Sequence, residues 1–567
     1  MNRSKPLWVQ SDGTVLLDER HPEYEETRDF LRVIAELHKR PGEWHTYRLT
    51  PVTLWNAAAS GWQSEQVLKR LADHSRNALP HRLEEEIRTQ MRRYGQIRLT
   101  PSPLGLTLIA ESSELMTQLC NWETVSSAFA YPPAETNVVI HEASRGRIKR
   151  ELAAKGYPVK DEAGFHAGEA LEISLRETSD TGAPIVLRDY QVEAVKALLG
   201  DETLDGGSGV IVLPCGAGKT WVGMAAIAKL KCETLILTPN GVSVSQWITE
   251  LLRNTTLTDG EVGEYTGHKK NVKPITVATY QVLTHRSSKS EEYPHLALFV
   301  NRDWGLIIYD EVHLLPAPVF RMTAEIQATR RLGLTATLVR EDGCEKDAFA
   351  LIGPKRYEIP WKAMEDKGWI AQAACTEVRV ALDPETAILY AAAPKRSRHR
   401  IAGENPRKTE VVRSLLERHH GMQTLIIGQY LDQLREMSNE LSLPLITGEM
   451  PHRNRKQLFD RFNEGQIDVL LVSKVANFAV DLPNASVAIQ ISGSYGSRQE
   501  EAQRLGRIMR PKQSGGGATF YSVVSEGTDE VEFARNRERF LLEQGYPYLV
   551  DRWDSSTNTY TNQKVVP

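Results

Sequence analysis

Cysteine is scarce in this sequence, and its cysteines lie far apart. Cys120, Cys215, Cys232, Cys344 and Cys375 form no CxxC pair. This spacing argues against a zinc ribbon, an iron–sulfur cluster and a disulfide framework, and it suits a reducing cytosol. The 15 histidines likewise show no spacing typical of metal ligands. We therefore expect no structural metal and a cytoplasmic location.

Long apolar runs are also missing. No stretch is long enough to cross a bilayer, and the start, MNRSKPLWVQSDG, lacks the apolar segment of a signal peptide. We therefore expect neither membrane insertion nor export. Hydrophobic residues make up 41% and charged residues 25%, which is ordinary for a globular protein. At 567 residues the chain exceeds what one core holds, so we expect several domains.

The sequence has no excess of positive charge, since its formal net charge is −4. A nucleic-acid-binding protein of this charge must concentrate its basic residues locally. Two clusters qualify, residues 144–150 (SRGRIKR) and 395–400 (KRSRHR). Taken alone, each is more typical of a solvated face than of a nucleic-acid contact.

The pattern of apolar residues divides the chain into five segments. Residues 1–130 predict a mostly helical domain, for which a winged-helix-like interaction module and a packing domain are equal alternatives. Residues 134–178 predict a small α+β domain that ends in a strand at 170–175. In 180–364 and again in 365–545, short apolar strands alternate with helices, which indicates two parallel α/β sheets. Residues 546–567 are predicted to form a C-terminal tail.

The strongest local signal is a glycine-rich loop between a strand and a helix, residues 213–220 (LPCGAGKT). Its glycines let backbone N–H groups wrap a phosphate, and the following helix adds its positive dipole end. Lys219 is predicted to reach the outer phosphates of ATP, and the Thr220 hydroxyl to coordinate Mg²⁺. Leu213 replaces the usual first glycine of this pattern. The predicted nucleotide-binding residues of the loop are Pro214, Cys215, Gly216, Ala217, Gly218, Lys219 and Thr220.

A buried strand that ends in paired acids follows at 307–313 (IIYDEVH). Asp310 is predicted to hold Mg²⁺, and Glu311 to orient and deprotonate the attacking water. An Asp-Glu pair at a strand end can also mark a helix start, but its position after the phosphate loop favours catalysis. His313 could be a satisfied polar residue; in this setting we predict that it couples hydrolysis to domain motion.

Weaker signals surround these two motifs. Small hydroxyl residues at a strand end, Thr335 and Thr337, are predicted to link the ATP site to the second domain, although a capping role is equally open. Gln191, in the stretch LRDYQ with Arg188, offers a donor and an acceptor that suit the edge of adenine.

The second α/β segment supplies candidate residues that a lone ATPase domain lacks. In 503–510 (QRLGRIMR), Arg507 and Arg510 lie within one helical turn and are predicted arginine fingers, with Gln503 beside them. A basic surface helix is the alternative. Asp481, which follows a buried strand, is predicted to hold the ribose or a finger.

These motifs, in this order along the chain, resemble those of the superfamily-2 helicases. Their amino-acid sequences are similar to the XPB family of DNA repair helicases, and the similarity covers roughly residues 1–545. The most specific stretches are LRDYQ, LPCGAGKT, DEVHLLPAPVFR, GLTATLVRED, SKVANFAVDLP and GSRQEEAQRLGRIMRPK. The stretch HTYRLTPVTLWNAA at 45–58 resembles bacterial members in particular.

The resemblance implies two RecA-like motor domains and ATP-dependent 3′→5′ movement with opening of duplex DNA. Arg340, Glu341 and Asp342 match the family's RED motif, which is implicated in that opening. Residues 134–178 correspond in position to the damage-recognition domain of archaeal relatives. We also predict contacts to DNA phosphates at three strand ends, namely Thr238, Thr279 and Ser473. DNA, in single-stranded or junction form, is the predicted partner, and the protein is expected at the nucleoid.

Two alternatives remain open at this point. The interval 382–408 is much shorter than the helical thumb of archaeal relatives, so the chain could translocate on duplex DNA without separating strands. It could also be a scaffold whose ATPase switches a partner nuclease. An RNA helicase is less well supported, because the resemblance is to the DNA branch.

Overall fold

The computed structural model describes most of the chain. The described residues are 5–39, 44–179, 182–200, 206–214, 216–286, 293–327, 329–336, 345–473, 485–493, 517–543, 546 and 548–566. The chain divides into two compact units, which are described separately below. One comprises residues 1–38, 44–213 and 218–358; the other comprises 39–43, 214–217 and 359–567.

The N-terminal part of the first unit combines helices with a four-stranded sheet of order β1-β2-β4-β3. The strands alternate buried and half-buried residues, so one face of the sheet packs against the helices. Its elements are β1 (Leu7–Val9), β2 (Thr14–Asp18), α1 (Tyr24–Ile34), β3 (Glu36–Lys39), β4 (Trp44–Arg48), α2 (Pro51–Ala59), α3 (Ser64–His74) and α4 (His81–Gln96).

A second four-stranded sheet, of order β7-β6-β5-β8, lies between this part and the motor sheet in sequence. Its elements are β5 (Ile97–Ser102), β6 (Gly105–Ala110), α5 (Ser113–Cys120), α6 (Glu123–Ser126), β7 (Asn137–Ile140), a 3₁₀ turn (Glu142–Ser144), α7 (Arg145–Ala154) and β8 (Val159–Asp161). The predicted domain boundary at 130–134 is wrong, because β6 pairs with β7 and β5 with β8 across it. The sequence of 97–110 predicts a β-hairpin, but it does not show that these strands also pair with β7 and β8 further along the chain.

The predicted strand at 170–175 is also wrong. Ala170 and Leu175 make only isolated bridges, to Cys232 and Thr255 respectively. The segment therefore runs along the motor domain in an extended form without joining a sheet.

The rest of the first unit is a seven-stranded, all-parallel sheet of order β11-β12-β10-β13-β14-β9-β15. Strands such as β9, β10 and β12 are buried at every position, as expected for a sheet covered on both faces by helices. Its elements are α8 (Asp189–Leu199), β9 (Ser208–Val212), α9 (Lys219–Leu230), β10 (Thr234–Thr238), α10 (Gly241–Asn254), β11 (Val262–Tyr265), β12 (Ile275–Thr279), α11 (Tyr280–Leu283), β13 (Leu306–Asp310), α12 (Ala317–Glu325), β14 (Arg330–Thr335), α13 (Glu345–Leu351) and β15 (Lys355–Glu358), with 3₁₀ turns at Pro294–Phe299 and Val312–Leu314.

The second unit is built on an eight-stranded sheet of order β18-β19-β17-β20-β21-β16-β22-β23. All the pairs in it are parallel except the last, β22 with β23. Its elements are α14 (Trp361–Asp366), β16 (Ala373–Val380), α15 (Pro384–Ala392), α16 (Lys395–Gly403), α17 (Lys408–Arg418), β17 (Thr424–Gly428), α18 (Leu431–Leu441), β18 (Leu445–Ile446), α19 (His452–Asn463), β19 (Val469–Ser473), β20 (Val487–Gln490), β21 (Ala518–Ser525), α20 (Asp529–Glu543), β22 (Tyr548–Asp554) and β23 (Thr559–Val566).

The predicted C-terminal tail at 546–567 is part of this sheet rather than an appendage. Strand β22 pairs in parallel with β16, and β23 pairs with β22. Trp553 of β22 is buried in the core of the unit. Strand β22 alternates buried residues with half-buried or exposed ones, so its pattern alone does not reveal the sheet that it extends.

Candidate active site

The glycine-rich loop follows β9 at the carboxyl edge of the parallel sheet. Gly216 and Gly218 take left-handed φ values of 80° and 77°, which glycine adopts at little cost. Gly218 is the N-cap of α9, so the loop ends at a helix N-terminus where free backbone N–H groups suit an anion. A Cβ on Gly218 would lie 2.6 Å from Gln191 Nε2, and the left-handed φ would strain any other residue there.

The side chains of Lys219 and Glu311 meet although they are far apart in sequence. Lys219 Nζ lies 2.7 Å from Glu311 Oε1, and both side chains are about seven-eighths buried. Lys219 is the first residue of α9, and Glu311 follows the last residue of β13. The parallel sheet brings these two ends to one edge, as the sequence predicted for a lysine and a carboxylate of one hydrolytic site.

Glu311 is held in an uncommon backbone conformation. Its φ of 49° and ψ of 55° lie in the left-handed region, which non-glycine residues seldom occupy. Such conformations cost on the order of 1–3 kcal/mol and cluster at functional sites. Burial by itself would raise the pKa of Glu311, but Lys219 and His313 outweigh it and hold the pKa below its ordinary value. Glu311 is therefore an anion next to a cation at neutral pH.

Asp310 is fixed by groups outside the predicted motifs. Its Oδ2 accepts a hydrogen bond from Trp247 Nε1 at 2.9 Å, and its Oδ1 accepts one from the backbone N–H of Glu311 at 3.1 Å. Tyr280 donates its hydroxyl to the Asp310 carbonyl oxygen at 2.9 Å. Burial and the neighbouring Glu311 raise the pKa of Asp310 to about 6.

Sequence reasoning missed Trp247, because one tryptophan on an amphipathic helix is indistinguishable from core. It lies on α10, is 2% exposed, and packs against Gly223 of α9. A Cβ on Gly223 would lie 2.5 Å from the indole ring, so this glycine leaves room for the ring beside the phosphate-binding helix. A glycine opposite the tryptophan is the one signal that could have indicated the contact.

His313 connects the paired acids to the next strand. Its Nδ1 lies 2.8 Å from Thr335 Oγ1 at the end of β14 and 3.5 Å from Glu311 Oε2. The ring is 7% exposed. The structure thus places two of the predicted coupling residues, His313 and Thr335, in contact with each other, with the His313 ring next to the Glu311 carboxylate.

The predicted adenine-binding residues lie at the start of α8. The backbone N–H of Arg188 donates to Gln191 Oε1 at 2.9 Å, and Arg188 Nη1 donates to Tyr190 Oη at 3.3 Å. Gln191 is 5% exposed and its amide nitrogen faces Gly218 of the loop. The structure brings Gln191 to the phosphate loop, while its contact with a base stays a prediction.

The predicted DNA-phosphate contacts lie at strand ends, as expected, but their side chains are buried. Thr238, Thr279 and Ser473 are 0%, 4% and 2% exposed. The Thr279 hydroxyl accepts from the backbone N–H of Val282 and caps α11. Their burial disfavours direct contact between these hydroxyls and DNA, so that part of the prediction finds no support in the side-chain geometry.

Several predicted site residues lie outside the described residues. They are Cys215, Thr337, Arg340, Glu341, Asp342, Asp481, Gln503, Arg507 and Arg510. Their roles stay predictions.

The residues present fit a magnesium nucleotide. The loop offers backbone N–H groups and one ammonium group, while Asp310 and the half-buried Thr220 offer the hard oxygen ligands that Mg²⁺ prefers. Elsewhere in the described part of the chain, no group of three or more His, Cys, Asp or Glu side chains could hold a metal ion. None of the described helices is long and apolar enough to cross a membrane.

Comparison with known proteins gives three family matches. Residues 364–565 match the family described as ERCC3/RAD25/XPB C-terminal helicase. Residues 184–340 match the res subunit of type III restriction enzymes, and residues 7–130 match a helicase conserved C-terminal domain.

Relatives match over nearly the whole chain. The DNA 3′-5′ helicase XPB of Mycobacterium tuberculosis is 50% identical over 546 residues, which is 96% of this chain and 97% of that protein. The chain belongs to the XPB family of DNA helicases. A putative DNA 3′-5′ helicase Rad25 of Haloarcula marismortui is 36% identical, covering 88% of this chain and 77% of the relative.

The XPB family extends to eukaryotes. An XPB subunit of the general transcription and DNA repair factor IIH from Saccharomyces cerevisiae is 31% identical, covering 96% of this chain and 72% of that protein. Among solved structures, an HsdR fragment of a type I restriction enzyme from Vibrio vulnificus has a TM-score of 0.48 at 20% identity, covering 66% of this chain and 70% of that one. The predictions of family, of two parallel-sheet α/β motor domains and of an ATP-dependent helicase are confirmed.

Proposed function

We propose that this XPB-family chain hydrolyses ATP with Lys219, Thr220, Asp310 and Glu311, and thereby moves 3′→5′ along DNA and opens duplexes. The observation that supports the hydrolytic site is the contact of 2.7 Å between Lys219 and Glu311, next to Asp310, at the carboxyl edge of the parallel sheet. Ligands of open α/β sheets bind at this edge.

In the proposed reaction Lys219 contacts the outer phosphates, and Glu311 orients and deprotonates the attacking water. A bound triphosphate competes with Glu311 for the Lys219 ammonium group, which frees the carboxylate for the water. Mg²⁺, held through Thr220 and Asp310, would offset charge on the phosphate oxygens. Trp247 and the Glu311 N–H fix the Asp310 carboxylate, because each donates a hydrogen bond to one of its two oxygens. Each oxygen keeps a further lone pair with which Asp310 would hold the metal.

His313 and Thr335 are proposed to transmit the state of the site. Thr335 ends β14 and contacts His313, which lies next to Glu311. A movement of the Glu311 side chain would therefore displace His313 and Thr335, and with them the segment that follows β14. That segment contains Thr337 and the triplet Arg340-Glu341-Asp342. Arg507 and Arg510 are proposed to complete the site as arginine fingers, which are worth roughly 10³–10⁵ in rate.

The first experiment measures ATP hydrolysis without nucleic acid and with single-stranded DNA, duplex DNA and RNA. We expect stimulation by DNA well above that by RNA. Lys219→Ala should abolish hydrolysis while circular dichroism shows that the chain is still folded. Normal turnover by Lys219→Ala would refute the site, and hydrolysis indifferent to every nucleic acid would favour the scaffold alternative.

Translocation without strand separation is the second candidate. The interval between β16 and α17, where a thumb would lie, holds only α15 and α16, each of nine residues. Displacement of a triplex-forming strand reports translocation, and displacement of one duplex strand reports opening. Triplex displacement with no duplex opening would favour this second candidate.

Association with a nuclease and location at the nucleoid are finer proposals. Any cutting of DNA coupled to this motor would come from a partner protein. A pulldown with and without DNA, followed by a nuclease assay of the eluate, tests the association.

A further inference from the structure

Two of the four cations in the basic run on α7 are buried, whereas its sequence suggests a solvated face. Arg145 and Lys149 are 7% and 6% exposed, and both bind Asp161 of β8. Arg145 Nη2 lies 2.8 Å from Asp161 Oδ1, and Lys149 Nζ lies 2.9 Å from Oδ2. Arg331 of β14, which is 0% exposed, lies beside them. Three buried cations therefore surround one carboxylate.

Arg331 is held by backbone oxygens. Its Nε donates to the Leu351 carbonyl at 2.7 Å, and its Nη1 donates to the Gln327 carbonyl at 2.8 Å. Its Nη2 has no hydrogen-bond partner among the residues that the structure describes. A fully buried guanidinium without a carboxylate of its own costs stability unless an anion compensates it.

The three cations also act on one another. Burial lowers the pKa of Lys149 to about 8, with Arg331 and Arg145 acting in the same direction against Asp161. Burial and Arg145 likewise lower the pKa of Arg331 to about 10. The surplus of positive charge thus helps to lower the pKa of both Lys149 and Arg331. Groups perturbed in this way mark candidate binding sites when they line a cavity.

These side chains do line a cavity, of about 40 Å³. Lys149, Asp161 and Arg331 contribute to its wall together with two further cations, Lys160 and Arg356. One water needs roughly 10–15 Å³ by the same measure. The space therefore suits about three waters or one compact anion, and it is too small for a nucleotide.

An aromatic ring fixes the positions of the two arginines. The guanidinium carbons of Arg145 and Arg331 lie 5.4 and 5.5 Å from the centre of the Phe165 ring, which also lines the cavity. Of the two, Arg331 lines the cavity, and its planar guanidinium holds the Nη2 donors in a fixed direction, which suits a tetrahedral oxyanion.

We propose that this cavity binds a compact oxyanion, such as inorganic phosphate or sulfate, between α7 and β14. The anion joins the sheet of β5–β8 to the motor sheet by neutralising the charges that both contribute. It lies at the start of β14, whose other end carries Thr335 of the hydrolytic site. The site is separate from the phosphate loop, and the proposal does not depend on the proposed function.

The test is equilibrium dialysis of radiolabelled phosphate against the full chain at constant ionic strength. A saturating non-hydrolysable ATP analogue with Mg²⁺ occupies the phosphate loop, so that the loop does not contribute. We expect about one phosphate per chain, displaced by sulfate. Arg356→Gln and Lys149→Met should each weaken binding by about tenfold, because one charge-assisted hydrogen bond is worth roughly 1.5–3 kcal/mol.

The matched control is Lys155→Gln, which removes an exposed lysine that lies over Trp122 and does not line the cavity. It should bind phosphate like the parent. No saturable uptake, or equal affinity in the parent and in both cavity variants, would overturn the proposal. If Lys149→Met fails to fold, Arg356→Gln decides alone, because Arg356 is only half-buried.

Discussion

At the scale of single residues, the proposed ATP site includes a side chain outside the sequence motifs, Trp247, which contacts Asp310. Asp310 is oriented by the Trp247 indole through one hydrogen bond of 2.9 Å. A hydrogen bond to a charged acceptor is worth roughly 1.5–3 kcal/mol, more than one between neutral groups. We therefore expect Trp247 to position the proposed metal ligand as well as to pack in the core.

We predict that Trp247→Phe weakens the use of Mg²⁺. The ring remains and the N–H donor is lost, so the Asp310 carboxylate can rotate. The Mg²⁺ concentration that gives half-maximal nucleotide affinity, measured by calorimetry, should rise about tenfold, and half-maximal hydrolysis should shift with it.

Trp304→Phe is the control for this prediction. Trp304 is also 2% exposed, but it donates to the Leu298 carbonyl oxygen rather than to Asp310. Equal shifts in the two variants would show that Trp247 acts through packing alone.

At the scale of elements, helix α7 is docked on α12 by direct backbone contact. A Cβ on Gly146 would lie 2.1 Å from the Ala324 carbonyl oxygen, so the two helices approach more closely than any side chain permits. Lys149 Nζ donates to Gln327 Oε1 at 2.8 Å on the same side. The β5–β8 sheet is thus attached to the motor sheet through α7.

We predict that Gly146→Ala lowers the unfolding free energy. The added methyl group meets backbone rather than a movable side chain, and overpacking of this kind costs about 1–3 kcal/mol. Gly241→Ala, at the start of α10, is the comparison, because no atom lies within 4 Å of its added Cβ. Thermal unfolding should show a lower midpoint for the first variant only; similar midpoints would mean that the helices can separate without cost.

The buried Lys149 should make the free energy of unfolding rise with pH. Its pKa is lowered from 10.5 to about 8 in the folded chain, so between these values the unfolded chain binds more protons. In buffer free of phosphate and sulfate, the unfolding free energy of the parent should rise with pH across this window relative to Lys149→Met, by up to about 1.4 kcal/mol per pH unit. Denaturant titrations from pH 7.5 to 10 measure this difference, and a constant difference would contradict it.

At the scale of the whole molecule, each unit carries its own parallel sheet and hydrophobic core. Lys219, Asp310, Glu311 and His313, the residues of the proposed hydrolytic site, all belong to the first unit. A motor must couple ATP hydrolysis to movement on DNA or to opening of the duplex. The family resemblance assigns part of this coupling to the triplet Arg340-Glu341-Asp342.

We predict that Arg340→Ala separates hydrolysis from opening. DNA-stimulated hydrolysis should stay close to that of the parent, because Arg340 is not among the hydrolytic residues, whereas duplex displacement should fall at least several-fold. Both are measured on one preparation with the same DNA. An equal loss of the two activities would remove the special role of the triplet.

The sequence by itself predicted the candidate residues of the site. The phosphate loop, Asp310, Glu311 and His313 lie within short segments, and a strand, a tight loop and a helix start are local structures that neighbouring residues specify. The buried parallel strands were also predictable, because strands covered on both faces are continuous apolar runs.

Only the tertiary structure decided which distant segments meet. Trp247 reaches Asp310 across 63 residues, Lys219 reaches Glu311 across 92, and Lys149 reaches Gln327 across 178. The basic run of α7 is charged enough to predict exposure, yet Arg145 and Lys149 are buried against Asp161. The last two strands likewise join the sheet because β16 pairs with β22 and β22 in turn pairs with β23. These long-range contacts depend on how the helices and sheets pack together, so no local pattern of residues predicts them.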